Sequence, residues 1–331
     1  MKTYFSNGMC QDIDYFLEDS CPMFYIQDLG DDYGDRFVYP NDSIKYSLDG
    51  ELVSLYDKFR DLFFPDTKSY YREIDSLPIW VQGAGQDSDC AVTADMFSEW
   101  VLKDSDNIPN LHRHLYLVDC QFLVGTIQNL LTGMEDAFVN YFMQISNAGT
   151  RLESSNKDTT IFEISWNSRR LSAVLENYFI KAYSILDMLC KIGHEFQNPQ
   201  TDFSSYKKMK SSEVLWGARK KLHINGTKGT LFEECSLVRS IESLRNEVVH
   251  NGTWELTPKI YSRFENGSIV ERYMLFPDID QGHLATVKSR KHFFGCGTRV
   301  NDVLPSIHLA YKTRLMNTIV MLNEANTYAE M

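Results

Sequence analysis

Residues 237–252 read LVRSIESLRNEVVHNG, and this stretch has the periodicity of a helix with one apolar face. Its apolar residues recur at steps of four, three and four, which is the spacing of a core-facing stripe. They are Leu237, Ile241, Leu244 and Val248. The pair Asn251-Gly252 follows, and both residues tolerate the left-handed conformation that closes a last turn. The stretch therefore predicts a helix that buries one face and ends near Gly252.

Three polar residues stand near the end of this predicted helix: Arg245, Asn246 and His250. At ~100° per residue, Asn246 and His250 share one face, and Arg245 lies roughly 140° from His250. Fraying of the helix end, or a second subunit, would bring the guanidinium and the imidazole together. A permanent cation beside a group that titrates near neutral pH suits proton transfer next to a phosphate.

The spacing Arg245-Asn246-x-x-x-His250 resembles the signature of the HEPN superfamily. A second segment, Tyr183-Ser184-x-x-Asp187, is similar to part of the long early helix in several HEPN families. Steps of four and three from Leu171 to Ile192 predict such a helix here. The resemblance covers residues 165–331.

The resemblance implies an antiparallel helical bundle that dimerises and joins two motifs in one cleft. It implies a metal-independent endoribonuclease without a cofactor, in which His250 is the general acid or base. Arg245 would stabilise charge on the phosphate, and Asn246 would orient either Arg245 or His250. Tyr183 and Asp187 would support them, with the Asp187 carboxylate reaching Arg245. The products would carry 2′,3′-cyclic phosphate and 5′-hydroxyl ends, since the ribose hydroxyl is the nucleophile.

Two other functions stay open at this point. One is a non-catalytic HEPN module that binds RNA or a partner protein. The other is an effector gated by a small molecule, with the amino-terminal region as its sensor. The pair Arg245 and His250 also has a purely structural interpretation, because cations are favourable near the C-terminus of a helix.

A basic segment precedes the motif helix. Between residues 203 and 230, seven lysines and arginines face one acid, Glu213, and aromatic residues are interleaved with them. Cations mixed with aromatics can attract phosphates and stack on bases of single-stranded RNA. The predicted RNA-binding residues are Lys207, Lys208, Lys210, Trp216, Arg219, Lys220 and Lys221. A solvated charged loop is the alternative.

Composition limits the class of protein. The chain has 331 residues, 43% hydrophobic content and a formal charge of −12, which indicate an ordered protein and argue against a generic cationic coat for nucleic acid. Seven cysteines without a Cys-x-x-Cys pair, and no apolar leader or membrane-length run, favour the reducing cytoplasm. The expected partners are RNA, a second copy in a homodimer, and an antitoxin or regulatory protein, with a role as a toxin or in antiviral defence.

The predicted fold is mainly α: a HEPN-like bundle over residues 106–331 with a β-hairpin inserted near 254–276, after an acidic α+β region over 1–105. Helices are expected over 43–64, 111–145 and 300–329, and a strand at 79–81. The turn at Asn266-Gly267 centres the hairpin. His112 and His114 stand two apart, which does not suit a metal pair on a helix, and they are expected on the surface.

Overall fold

The structure, a computed structural model, describes residues 2–13, 23–28, 35–39, 44–148 and 158–325. Over these residues the chain is mainly helical with small antiparallel sheets. None of the helices in these ranges is long and apolar enough to cross a membrane. The chain forms two compact units, each assembled from three separate stretches. Unit 1 comprises residues 1–45, 130–183 and 233–315, and unit 2 comprises 46–129, 184–232 and 316–331.

The helices account for most of the described chain. In order they are α1 (Ile44–Phe63), α2 (Thr67–Ile74), α3 (Ile79–Gly83), α4 (Ala94–Asp104), α5 (Leu111–Ser146), α6 (Trp166–Gln197), α7 (Ser236–Asn251) and α8 (Val300–Glu324). The long helices expected from apolar periodicity are confirmed, and α5 continues through both of its glycines. The last residues of the predicted closing helix, 326–329, lie outside the described residues. The expected boundary near residue 105 stays a prediction.

Unit 1 contains the small antiparallel sheets. Strands β1 (Lys2–Tyr4), β2 (Cys10–Asp12), β3 (Phe24–Asp28) and β4 (Asp35–Val38) form one sheet in the order β2-β1-β3-β4. A second sheet has the order β5-β6-β7, with β5 (Thr159–Glu163), β6 (Ile260–Glu265) and β7 (Ser268–Tyr273). A two-stranded ribbon joins β8 (Ile279–Asp280) to β9 (His283–Leu284).

The predicted hairpin is present as β6 and β7. Its turn residues Asn266 and Gly267 have φ values of 50° and 79°, the two positive angles that a tight type I′ connection needs. The hairpin is not isolated, because β5 pairs with β6 and completes a three-stranded sheet. Strand β5 was not predicted from the sequence, because its alternation covers only five residues.

The strand predicted at 79–81 is wrong, because these residues begin the short helix α3. Pro78 fixes the entry to the turn, and its carbonyl accepts a hydrogen bond from the Val81 N–H at 3.0 Å. Trp80 and Val81 are both buried. Neighbouring residues of a strand point to opposite faces, so burial of both fits a turn of helix better than a half-buried strand.

Unit 2 holds one buried and one half-buried carboxylate close to each other. Glu195 is fully buried and accepts hydrogen bonds from the Tyr116 hydroxyl and the Ser211 N–H, both at 2.8 Å. Nearby, the Asp119 carboxylate accepts a 2.6 Å bond from the Tyr206 hydroxyl. Burial raises the pKa of Asp119 to about 6, and the charge of Glu195 adds to that shift while the Tyr206 bond opposes it.

Asp119→Asn is expected to change how stability depends on pH. The raised pKa means that the folded protein holds a proton that the unfolded chain releases, so Asp119 lowers the free energy of unfolding as pH rises from about 4 to about 6. The stability of the asparagine variant relative to wild type should therefore be about 3 kcal/mol higher at pH 8 than at pH 3.5. Urea unfolding at both pH values measures this difference. An equal difference at both would contradict the prediction.

Candidate active site

Helix α7 carries the predicted catalytic residues and ends where the sequence indicated. Gly252 follows it with φ +91°, and its N–H donates to the Val248 carbonyl at 2.9 Å. The fully buried positions of the helix are Val238, Ile241, Leu244 and Glu247. Leu237 and Val248, expected in the core stripe, are only half-buried. The buried face is therefore rotated relative to the predicted one, and its last position is Glu247, a carboxylate with charged partners.

Arg245 is held in place by two neighbours in unit 1. Its Nη1 donates to Asn246 Oδ1 at 2.9 Å, and its Cζ lies 4.5 Å from the centre of the Tyr183 ring. Tyr183 comes from α6 and is nearly buried. A guanidinium stacked on an aromatic face and bonded to an amide has few accessible orientations. The structure thus brings together Tyr183, Arg245 and Asn246, three of the residues singled out from sequence.

Glu247 organises a second group of contacts that the sequence analysis missed. Its Oε2 accepts bonds from Lys291 Nζ at 3.0 Å and Asn251 Nδ2 at 3.1 Å, and its Oε1 lies 3.0 Å from His292 Nε2. Burial raises the pKa of Glu247, but these hydrogen bonds outweigh burial, and the pKa is lowered overall. The only available signal was the basic cluster around Lys291 and His292 in the sequence.

His250 is exposed on the last turn of α7. It lies three residues after Glu247, on the same side of the helix, so the segment around Lys291 and His292 is held against that side. An exposed imidazole can exchange a proton with a bound ribose or water. The arrangement therefore offers an accessible acid–base group and a fixed guanidinium on one short helix.

Asp187 has a defined partner in unit 2. Its Oδ1 accepts a 2.7 Å hydrogen bond from the backbone N–H of Trp216. This bond fixes the beginning of the 3-10 turn Trp216–Lys221 within the basic segment. Asp187 belongs to unit 2 and Arg245 to unit 1, and their contact stays a prediction.

The prediction that Trp216 stacks on RNA bases is wrong. The residue is 1% exposed, its ring is stacked on Phe232 with centroids 5.5 Å apart, and the Arg219 guanidinium lies 4.6 Å from its ring. Tryptophan in a basic segment can serve either as a base platform or as the anchor that packs the segment onto the core. Sequence spacing does not distinguish these two uses, and here the indole is the anchor.

The lysines of the basic segment remain near the solvent. Lys208, Lys210, Lys220 and Lys221 are exposed, and Lys207 is half-buried. Lys207 and Lys208 form ion pairs of 3.3 Å with Asp202 and Glu213, and Lys210 Nζ donates to the Pro199 carbonyl at 3.0 Å. Exposed ion pairs contribute little free energy, so an approaching phosphate can compete with them.

His112 and His114 were both expected on the surface. The prediction is wrong for His114, whose side chain is 2% exposed. Its Nε2 lies 2.9 Å from the Glu73 carboxylate. The partner is 41 residues away in sequence, which is why spacing along the helix gave no indication of it.

Over the described residues, no three His, Cys, Asp or Glu side chains are grouped so that they could hold a metal ion. Comparison of the chain with protein-family models, with curated proteins and with solved structures found no match.

Proposed function

We propose that the protein is a HEPN-type endoribonuclease that needs no metal ion and acts in the cytoplasm as a toxin or anti-phage effector. The observation that supports this function best is the pair on α7: a guanidinium fixed by Tyr183 and Asn246, and an exposed imidazole five residues later. An antitoxin or another regulatory protein would restrain the activity. The helical bundle typical of HEPN domains is part of the same proposal.

In the proposed reaction, His250 removes the proton from a ribose 2′-hydroxyl or protonates the leaving 5′-oxygen. The 2′-oxygen attacks the adjacent phosphorus, a 2′,3′-cyclic phosphate forms and the 5′-oxygen leaves with a proton. Arg245 stabilises the negative charge on the phosphate oxygens, and Asn246 and Tyr183 keep the guanidinium oriented. The electrostatic attraction of the substrate would come from Lys207, Lys208, Lys210, Lys220 and Lys221.

A second copy of the chain completes the proposed cleft, because two Arg245–His250 pairs then face one substrate. Unit 1 offers an apolar surface for such contact. Phe162 in β5, Ile164 directly after the strand and Trp166 at the start of α6 are all exposed, Trp166 to 76%. Three exposed apolar side chains thus lie within five consecutive residues of the chain. Exposed apolar patches are typical of protein–protein contacts.

Trp166→Glu is expected to convert a dimer into a monomer. The first residue of α6 is exposed, so the change leaves the fold intact but places a carboxylate in the proposed contact. Light scattering of wild type and variant measures the mass, with Leu309→Glu, an exposed apolar residue of α8 in the same unit, as the matched control. A monomeric wild type, or a variant that stays dimeric, would contradict the proposed surface.

The proposed activity is tested by incubating the purified protein with total RNA in excess EDTA and measuring RNA binding in parallel. Cleavage in EDTA supports the ribonuclease. Binding without cleavage would favour a HEPN module that recruits RNA. If the protein neither binds nor cleaves RNA, both functions are rejected.

A further inference from the structure

Unit 2 contains a cavity of about 250 Å³ between the early helices and α5. Its lining is aromatic and aliphatic, with three glutamines and one histidine among the apolar side chains. The lining residues that carry the argument are Tyr56, Tyr70, His114, Gln121, Phe122 and Gly125. The cavity belongs to a different unit from the α7 residues of the proposed ribonuclease.

Among the described residues, no carboxylate, lysine or arginine lines the cavity. Its histidine, His114, is buried and directs Nε2 to the Glu73 carboxylate at 2.9 Å. With the proton on Nε2, the other ring nitrogen is a lone-pair acceptor. Burial lowers the pKa of His114, which keeps the ring neutral near pH 7. A neutral lining of this kind disfavours a charged occupant and favours one that combines apolar surface with a few polar atoms.

Amide groups supply the polar part of the wall. Gln82, Gln86 and Gln121 all line the cavity, and the buried Gln121 is fixed by a bond from its Nε2 to the Tyr56 carbonyl at 3.4 Å. A glutamine amide offers a donor and an acceptor side by side, which matches the N6 and N7 edge of adenine. Tyrosine and phenylalanine rings are the usual stacking partners of bases.

Gly125 provides space in the cavity. It lies inside the 36-residue helix α5, where glycine is unfavourable relative to other residues, and a Cβ built on it meets no atom within 4 Å. A side chain at this position would therefore begin in open space on the wall of the cavity. Gly50 on α1 has the same property at an exposed position of the same unit, which makes it a matched control.

We propose that this cavity binds one purine base, with adenine as the best match to its glutamines. The volume lies below the ~300–1,000 Å³ typical of sites for drug-sized ligands, so it suits a single fused ring system with any sugar directed outward. The base can come from a free nucleobase or nucleoside, or from an unpaired nucleotide of RNA. The chemistry is the same in these cases, and the proposal does not depend on ribonuclease activity.

The test measures binding of adenine, adenosine, uridine and the hexanucleotide r(A)6 to the full chain by calorimetry, together with the shift in thermal midpoint. Wild type and Gly50→Leu are expected to bind adenine or adenosine saturably and more tightly than uridine. Gly125→Leu should lose this binding while keeping or raising the midpoint of the free protein, since leucine favours a helix more than glycine does. Gln121→Leu should weaken binding about tenfold.

Binding of r(A)6 that Gly125→Leu loses, without binding of adenosine, would assign the cavity to an RNA base, whereas binding of adenosine assigns it to a free ligand. Failure of wild type to bind any of the four probes at about 1 mM, or unchanged binding by Gly125→Leu, would overturn the proposal. Loss of RNA cleavage in His250→Ala with adenosine binding intact would show that the two sites are independent.

Discussion

His250→Ala is expected to lower the rate of RNA cleavage by about 10²–10⁴-fold, the contribution typical of a positioned acid–base group. The imidazole is exposed at the end of α7, so its removal leaves no cavity and does not disturb the fold. RNA binding should change little, because the proposed electrostatic attraction comes from the lysines of the basic segment. Initial rates with a defined RNA, and binding measured by fluorescence anisotropy, separate these two effects.

Two further variants are the controls for this result. His283→Ala removes another exposed histidine of unit 1 and should cleave RNA at the wild-type rate. Arg245→Lys keeps the charge but loses the planar guanidinium that Tyr183 and Asn246 orient, and it should lose at least ~10-fold in rate. Cleavage by His250→Ala at the rate of His283→Ala would exclude the proposed role of the imidazole.

Lys312→Met is expected to destabilise the protein by about 3–5 kcal/mol. The Lys312 ammonium is 2.8 Å from the Glu135 carboxylate, and the side chains are only 3% and 10% exposed. Methionine has a similar shape but removes the cation, which leaves a carboxylate in a poorly solvated site. Urea unfolding at neutral pH measures the loss as a lower midpoint at unchanged slope.

The double variant Glu135→Leu with Lys312→Met is the control for this effect. An apolar pair of similar volume removes both charges, and such replacements are often neutral or stabilising, so most of the lost stability should return. The single and double variants form a cycle that isolates the charge effect from lost packing. A double variant no more stable than Lys312→Met would show that packing, rather than the lost ion pair, causes the loss.

Much of the fold could be predicted from local pattern. Apolar residues at helical spacing gave α5, α6 and α7, and Asn266-Gly267 gave the turn between β6 and β7, because these signals act within a few residues. Strand β5 could not be found in this way, since its five residues are stabilised by pairing with β6, about a hundred residues later. The same limit explains the wrong prediction of a strand at residues 79–81. There, Pro78 and the burial of two neighbouring residues override strand propensity.

Spacing along the chain could predict the candidate site only where sequence neighbours are also neighbours in space, whereas Tyr183, which contacts Arg245, was identified through the family resemblance. Asn246 follows Arg245, and their hydrogen bond joins adjacent residues of α7. Glu247 looked like an ordinary acid because its partners Lys291 and His292 are 44 and 45 residues away. The prediction for Trp216 was wrong for the converse reason. Its neighbours in sequence are charged, but its side chain is buried against Phe232.

The most direct measurement is the chemistry of the RNA ends that wild-type protein produces in excess EDTA. An imidazole and a guanidinium acting on a ribose should leave 2′,3′-cyclic phosphates and 5′-hydroxyls, and an RNA with a 2′-deoxy sugar at the cleaved position should resist. Ends carrying 3′-hydroxyls and 5′-phosphates, or cleavage that stops when EDTA is added, would contradict the proposed reaction.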